Sequence, residues 1–317
     1  MRLRSILCPA DFSEYSREAL RYAEDIAHRT GGRLSVVYVT DPSLFLAAAA
    51  ALHRRPPFVR RTQTELERFV DASIAEDRRP ACSVLLGNPA AEILKAARRL
   101  KSDLIVMGTH GLKGFDKLFF GSTTDHVLRR VTVPLLAVPL SNTSTKPQPS
   151  RPGRVPAIAR VLVPLDLDGE WKDELNGAAD VARVFGAELV LVYVVPRTQA
   201  PPWLRENVAA YDRRRLARAR RALERVRAEI PSDIRTACRA VIGNPADEIA
   251  AVAAKDPPGL VVMALRGGLR ARHGSTTRHV LTHAVRPVMV LPRPALREGA
   301  APRRRRAAFP GTGRLIR

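Results

Sequence analysis

Four blocks of this chain occur twice in the same order, and that repetition constrains the fold more than any single residue does. Ser5-Ile-Leu-Cys-Pro-Ala-Asp11 returns as Arg160-Val-Leu-Val-Pro-Leu-Asp166, and Leu34-Ser-Val-Val-Tyr38 as Leu189-Val-Leu-Val-Tyr193, both 155 residues on. Gly87-Asn-Pro-Ala-Ala-Glu-Ile93 returns 156 residues on as Gly243-Asn-Pro-Ala-Asp-Glu-Ile249. Gly121-Ser-Thr-Thr-Asp-His-Val-Leu128 returns 153 residues on as Gly274-Ser-Thr-Thr-Arg-His-Val-Leu281. Chance does not keep four blocks in register, so one domain has been duplicated in tandem. A chain of 317 residues gives each copy the length to bury its own core. The copies occupy residues 1–140 and 157–293. Between them, 141–156 carries Pro147, Pro149, Pro152 and Pro156 among Ser, Thr and Lys and reads as a linker.

Within a copy, short apolar runs alternate with amphipathic ones. The spacing predicts strands at Ile6–Cys8, Leu34–Val39, Ala81–Leu86, Leu104–Met107 and Leu135–Val138. It predicts helices at Ser16–His28, where Ala19, Leu20, Ala23, Ile26 and Ala27 fall on one face, and at Thr62–Ala75, Ala90–Leu100 and Thr123–Arg130. Strand runs that are continuously apolar are buried on both sides. Alternation with helices then implies right-handed crossovers and an α/β fold: two tandem, doubly wound, Rossmann-like parallel-sheet domains.

In such a sheet, ligands bind at the carboxyl ends of strands, at the point where strand order reverses. Asp11, Val39-Thr40 and the segment Gly108-Thr-His110-Gly111, nine residues, Gly121-Ser122-Thr123 all follow strands. If the first and fourth strands are neighbours, these features converge. Glycines there admit φ > 0 and close approach of backbone to an anion, and the N–H groups opening the next helix point toward it. Gly108, Gly111, Gly121, Ser122 and Thr123 are therefore read as a phosphate cradle, with His110 and Lys113 as further contacts. Asp11 is placed to accept hydrogen bonds from ribose, and the main chain at Val39 and Thr40 to meet an adenine edge.

The Asp11 region, Gly87-Asn-Pro, the G-x2-G-x9-G-S spacing and Val133-Pro134-Leu-Leu-Ala-Val138 together resemble the universal stress protein family, over nearly all of both copies. The resemblance implies the adenine-nucleotide alpha-hydrolase-like version of the fold. It implies ATP as ligand, with Mg as an accompanying cation, held by Asp11, Val39, Thr40 and the glycine loop. It also implies a nucleotide-responsive stress-adaptation factor rather than a dedicated enzyme, built as an intramolecular pseudo-dimer. The last strand of such domains pairs with a counterpart, so Leu135–Val138 and Val288–Leu291 are expected as edges for a homo-oligomer. The second copy departs from the pattern. Ala264 replaces Gly108, and six rather than nine residues separate Gly267 from Gly274. The expectation is one competent site per chain, with Cβ of Ala264 opposing left-handed geometry.

Composition bounds the alternatives. No apolar run reaches the roughly 20 residues of a membrane span, and residues 1–10 do not read as a signal peptide. Three cysteines argue against a disulfide framework and fit a reducing cytoplasm. Cys82 and Cys238, equivalent in the two copies, read as small core residues. His126 and His279 read as exposed helix residues. The net charge of +22 is uneven: residues 293–317 hold 8 basic and 1 acidic residue, 294–317 reading as a basic, disordered tail, and a second basic cluster lies on Tyr211–Arg227. Two rival functions follow, a slow ATP hydrolase on the same fold and a nucleic-acid-associated protein using the Arg-rich helix and tail, the second without aromatics interleaved among those arginines for stacking on bases.

Overall fold

Strands that are apolar at every position need cover on both faces, and the chain supplies it. In the computed structural model, which describes residues 3–43, 55–75, 79–111, 121–140, 155, 157–167, 169, 171–199, 201, 203, 205–255, 259–265 and 275–292, ten strands form one sheet. The first copy contributes β1 (Ser5–Ala10), α1 (Glu14–Thr30), β2 (Arg33–Thr40), α2 (Arg55–Asp71), β3 (Ala81–Leu86), α3 (Pro89–Arg99), β4 (Leu104–Gly108), α4 (Ser122–Leu128) and β5 (Leu135–Val138). The second repeats the order as β6 (Arg160–Pro164), α5 (Lys172–Phe185), β7 (Glu188–Pro196), α6 (Arg205–Ala228), β8 (Thr236–Gly243), α7 (Pro245–Lys255), β9 (Gly259–Leu265), α8 (Ser275–Thr282) and β10 (Val288–Pro292). Every residue of β1, β4 and β5 is buried.

Strand order is β3-β2-β1-β4-β5-β10-β9-β6-β7-β8, parallel within each half. The halves join through an antiparallel pairing of β5 with β10, Leu136 opposite Met289. The two edges expected to serve a further partner therefore satisfy each other within the chain. The sheet's outer strands are β3 and β8 instead.

Order reverses between β1 and β4, and again between β6 and β9, and a proline marks each place. The β1–β4 ladder ends at Leu7↔Ile105 and the β6–β9 ladder at Leu162↔Val261. Two residues later Pro9 and Pro164 have no N–H to continue them. Each pair of strands stops pairing there, short of the carboxyl ends of both strands.

Helix placement follows from caps and faces. Ser13 accepts from the Ser16 amide at 3.1 Å and starts α1, and Gly31 in the left-handed conformation ends it, as Gly186 ends α5. The α1 residues Ala19, Leu20, Ala23, Ile26 and Ala27 are all buried, so the expected face is the observed one. Each large member contributes roughly 1.5–3 kcal/mol by leaving water. Helix α2 begins earlier than the expected Thr62, because Pro56 and Pro57, which look like breakers, lie in its first turn where a missing N–H costs nothing. Linker residues other than Val155, and the tail from 293 on, lie outside the described residues. Among the described residues no helix is long and apolar enough to cross a membrane.

Candidate functional site

The first switch point brings together Asp11 from the end of β1 and Gly111 from the end of β4. A Cβ added at Gly111 would overlap Asp11 Oδ2, so only glycine lets this backbone lie against the carboxylate. Asp11 is itself held: Oδ1 accepts from the Ser13 amide at 3.1 Å and from the Ser13 hydroxyl. Between them Phe12 has φ +65°, a left-handed conformation that costs a bulky residue about 1–2 kcal/mol. Aromatic packing offsets that cost, with Tyr38 at 4.8 Å and Phe69 at 5.6 Å between ring centroids. The Asp11-Phe12-Ser13 turn is thus an aromatic-anchored helix cap that holds a carboxylate against Gly111.

The other motif residues take different parts. Gly108 ends β4 beneath α1, and a Cβ there would come within 2.8 Å of Tyr15 Cβ, so this glycine serves helix–strand packing. Gly121 donates its amide to Thr109 O at 2.8 Å, and its φ is −54°. A Cβ on Gly121 would press on that carbonyl at 3.1 Å. Neither Gly108 nor Gly121 is left-handed among the described backbone, so close approach, not positive φ, is what the motif demands. The same observation corrects the reason given for the second copy: Ala264 lies in regular β9 pairing opposite Leu291, where a Cβ brings no left-handed penalty. The His110 ring packs at 5.0 Å from that of Tyr15, tilted by 43°, and shares a hydrogen bond of 2.9 Å with Thr109 Oγ1. Ser122 is exposed at the start of α4, Thr123 is half-buried, and no side chain caps that helix. Lys113, Gly267 and Gly274 lie outside the described residues.

At the end of β2, Thr40 is 2 % exposed and its hydroxyl has no hydrogen-bond partner. A buried hydroxyl left so costs about 1–3 kcal/mol. The Thr40 carbonyl already accepts from the Gly87 amide at 3.1 Å, which ties the β2 end to β3, while Val39 is half-buried beside it. Thr124, which no sequence motif singled out, donates to Gly108 O at 3.0 Å and locks α4 onto β4. Among the described residues no group of three or more His, Cys, Asp or Glu is gathered as metal ligands. His126 is exposed, as expected. Cys82 and Cys238 are half-buried on the outer strands rather than in the core, and burial pushes both thiols up to about 11.

The second switch point is built otherwise. Glu174 of α5 is 5 % exposed, and its Oε1 accepts from the Ala264 amide at 2.7 Å. Its counterpart in the first copy is the buried Ala19. A carboxylate therefore sits at the end of β9 where the first copy presents small residues and backbone. Asp166, the counterpart of Asp11, is exposed. A groove of about 980 Å³ does lie on this half, but it runs over the ends of β7 and β8, between Pro196, Val208 and Ile242, and reaches neither Asp166 nor Ala264.

A model of the universal stress protein family matches residues 2–139 and 158–292. The chain belongs to that family. A universal stress protein of Methanocaldococcus jannaschii, MJ0531, is 31% identical over 138 residues, 43% of this chain and 81% of that protein. A universal stress protein of Thermus aquaticus is 32% identical over 139 residues, 43% of this chain and 98% of its own length. These relatives thus correspond to one half of the chain. A crystal structure of a universal stress protein from Archaeoglobus fulgidus matches both halves, with a TM-score of 0.61, 20% identity, 93% of this chain and all of that one covered. At that identity the likeness speaks for the fold alone.

Proposed function

We propose that the first half of this universal stress protein binds one adenine nucleotide, ATP, at the Asp11–Gly111 crevice. In this reading the chain acts as a nucleotide-responsive stress-adaptation factor. The observation that carries the reading is the contact between Gly111 and the Asp11 carboxylate, a cradle that any side chain at position 111 would fill. The buried, unsatisfied Thr40 hydroxyl supports it from the opposite side. Asp11 would accept from the ribose hydroxyls and Thr40, with the Val39 main chain, would meet the adenine. His110 and the amides of Gly111, Gly121, Ser122 and Thr123 would face the phosphates, which favour such donors. A Mg ion, where present, would neutralise phosphate charge and be held through the phosphates and water, since Asp11 is the one carboxylate argued into the crevice.

The second half is read as retained for structure. The Glu174 carboxylate takes the Ala264 amide, the counterpart of the Gly108 amide, so this strand end is built as part of the fold. ATP hydrolysis on the same fold is the rival reading, and no residue is assigned as a base for it. Isothermal titration of ATP into the chain and into Gly111→Val tests the proposal. Saturable binding by the parent chain that is lost in the variant supports it, and equal heats from both, or none from either, would overturn it.

A further inference from the structure

Helices α2 and α6 hold equivalent places in the two halves, yet their surfaces differ in charge. Helix α2 carries four arginines against three acidic residues, a nearly balanced face. Helix α6 carries nine arginines against three acidic residues. The apolar side of α6 is already occupied: Ala219, Leu223 and Val226 are buried against the sheet. One of its acids is turned inward too, since buried Asp212 accepts from the Thr198 hydroxyl at 2.7 Å and from Arg215 at 3.0 Å. Glu224 pairs with Arg227.

What remains outward is ordered. Tyr211, Arg214, Arg218, Arg221 and Arg225 follow one another at steps of three, four, three and four residues, the spacing of one helix face, and all are exposed. At about 1.5 Å of rise per residue, the four guanidinium groups span roughly 16 Å, one every 5–6 Å, close to the spacing of phosphates along a nucleic-acid strand. None of the four has a carboxylate within ion-pair distance among the described residues. The stripe is headed by an aromatic ring 56% exposed, and Trp203, two residues before the helix, is 81% exposed.

We propose that this face of α6 is a binding surface for single-stranded nucleic acid, the arginines taking successive phosphates and Tyr211 and Trp203 stacking on unpaired bases. Arginine forks pair bidentately with phosphate oxygens, and base–aromatic stacking tolerates any sequence. The stripe itself contains no aliphatic side chain to insert between lipids, which favours a nucleic-acid strand over an anionic membrane. The first half offers the internal control, because the same helix there lacks the stripe.

The test uses the full chain and a labelled single-stranded oligonucleotide of about 20 nucleotides, titrated at salt from about 50 to about 200 mM. The quadruple variant Arg214→Ala, Arg218→Ala, Arg221→Ala, Arg225→Ala should bind at least about tenfold more weakly at low salt, with the slope of log affinity against log salt reduced by about 3. Trp203→Ala with Tyr211→Ala should weaken binding by about thirtyfold or more and leave the slope alone. Arg60→Ala with Arg61→Ala on α2 should change neither. An unchanged affinity and slope in the quadruple variant would overturn the proposal. So would tighter binding to a duplex of the same sequence, or binding to vesicles of anionic phospholipid without binding to the oligonucleotide.

Discussion

The two switch-point crevices descend from one duplicated domain and share a fold, a strand-splaying proline and a helix capped at its end by left-handed glycine, yet they are filled differently. In the first, glycine lies against a fixed carboxylate and a buried hydroxyl goes unsatisfied. In the second, Glu174 has come in from α5 and hydrogen-bonds the strand-end amide. Both copies are needed to build the sheet, because β5 and β10 complete each other, while their strand ends have diverged.

The largest expected effect on this contrast is at the glycine before α4. Gly121→Leu should weaken ATP binding by at least about a hundredfold, since a Cβ already presses on Thr109 O and a longer chain displaces the loop. Gly274→Leu in the second copy should change affinity less than about twofold. Titration of both variants checks this, and equal losses would break the asymmetry. Next, Glu174→Ala should lower the stability of the chain by about 1–3 kcal/mol, because it strands the Ala264 amide in a buried site. Its ATP affinity should stay at the parent value. Denaturant unfolding with a parallel titration reads both quantities, and a fall in affinity would tie Glu174 to the first site instead.

A smaller effect is expected at the open crevice. Thr40→Val keeps shape and removes a hydroxyl that has no partner in the free protein. It should leave stability unchanged or raise it by up to about 1 kcal/mol while weakening ATP about fivefold. A variant both less stable and undiminished in binding would mean the hydroxyl serves the fold. The smallest difference is expected where the halves agree. Cys82 and Cys238 are held at about 11, above the ordinary thiol value of 9.0, chiefly by burial, with Glu67 and Glu224 adding to it. A thiol whose folded pKa is raised supports folding fully below its unfolded pKa, and that support fades as pH rises from about 9 to about 11. Alkylation of both thiols should be slow and alike at pH near 8, and unfolding midpoints should fall across that alkaline window.

Much of this was legible before any coordinates, and the reasons differ by feature. Duplication, strand order class and the α1 face follow from spacing alone, since periods of two and 3.6 survive in any context. The convergence of Asp11 with Gly111 needed one further assumption, that β1 and β4 are neighbours, and the ladder from Ile6 to Leu104 bears it out. Which role each glycine plays was not legible, because sequence cannot distinguish a glycine needed for φ > 0 from one needed for space. Gly108 and Gly121 are of the second kind. Phe12, Thr124 and Glu174 went unnoticed for a related reason: each acts through a neighbour distant in sequence. A Glu among the apolar positions of α5, where the first copy has Ala19, was a visible sign of divergence beside Ala264 and the shortened loop.

The most direct test of one open and one closed site is the number of ATP molecules bound per chain at saturation, measured by titration of protein freed of nucleotide by unfolding and refolding. The account predicts one, abolished by Gly111→Val and untouched by changes confined to the second half. Two equivalent sites, or one site that survives Gly111→Val, would contradict it.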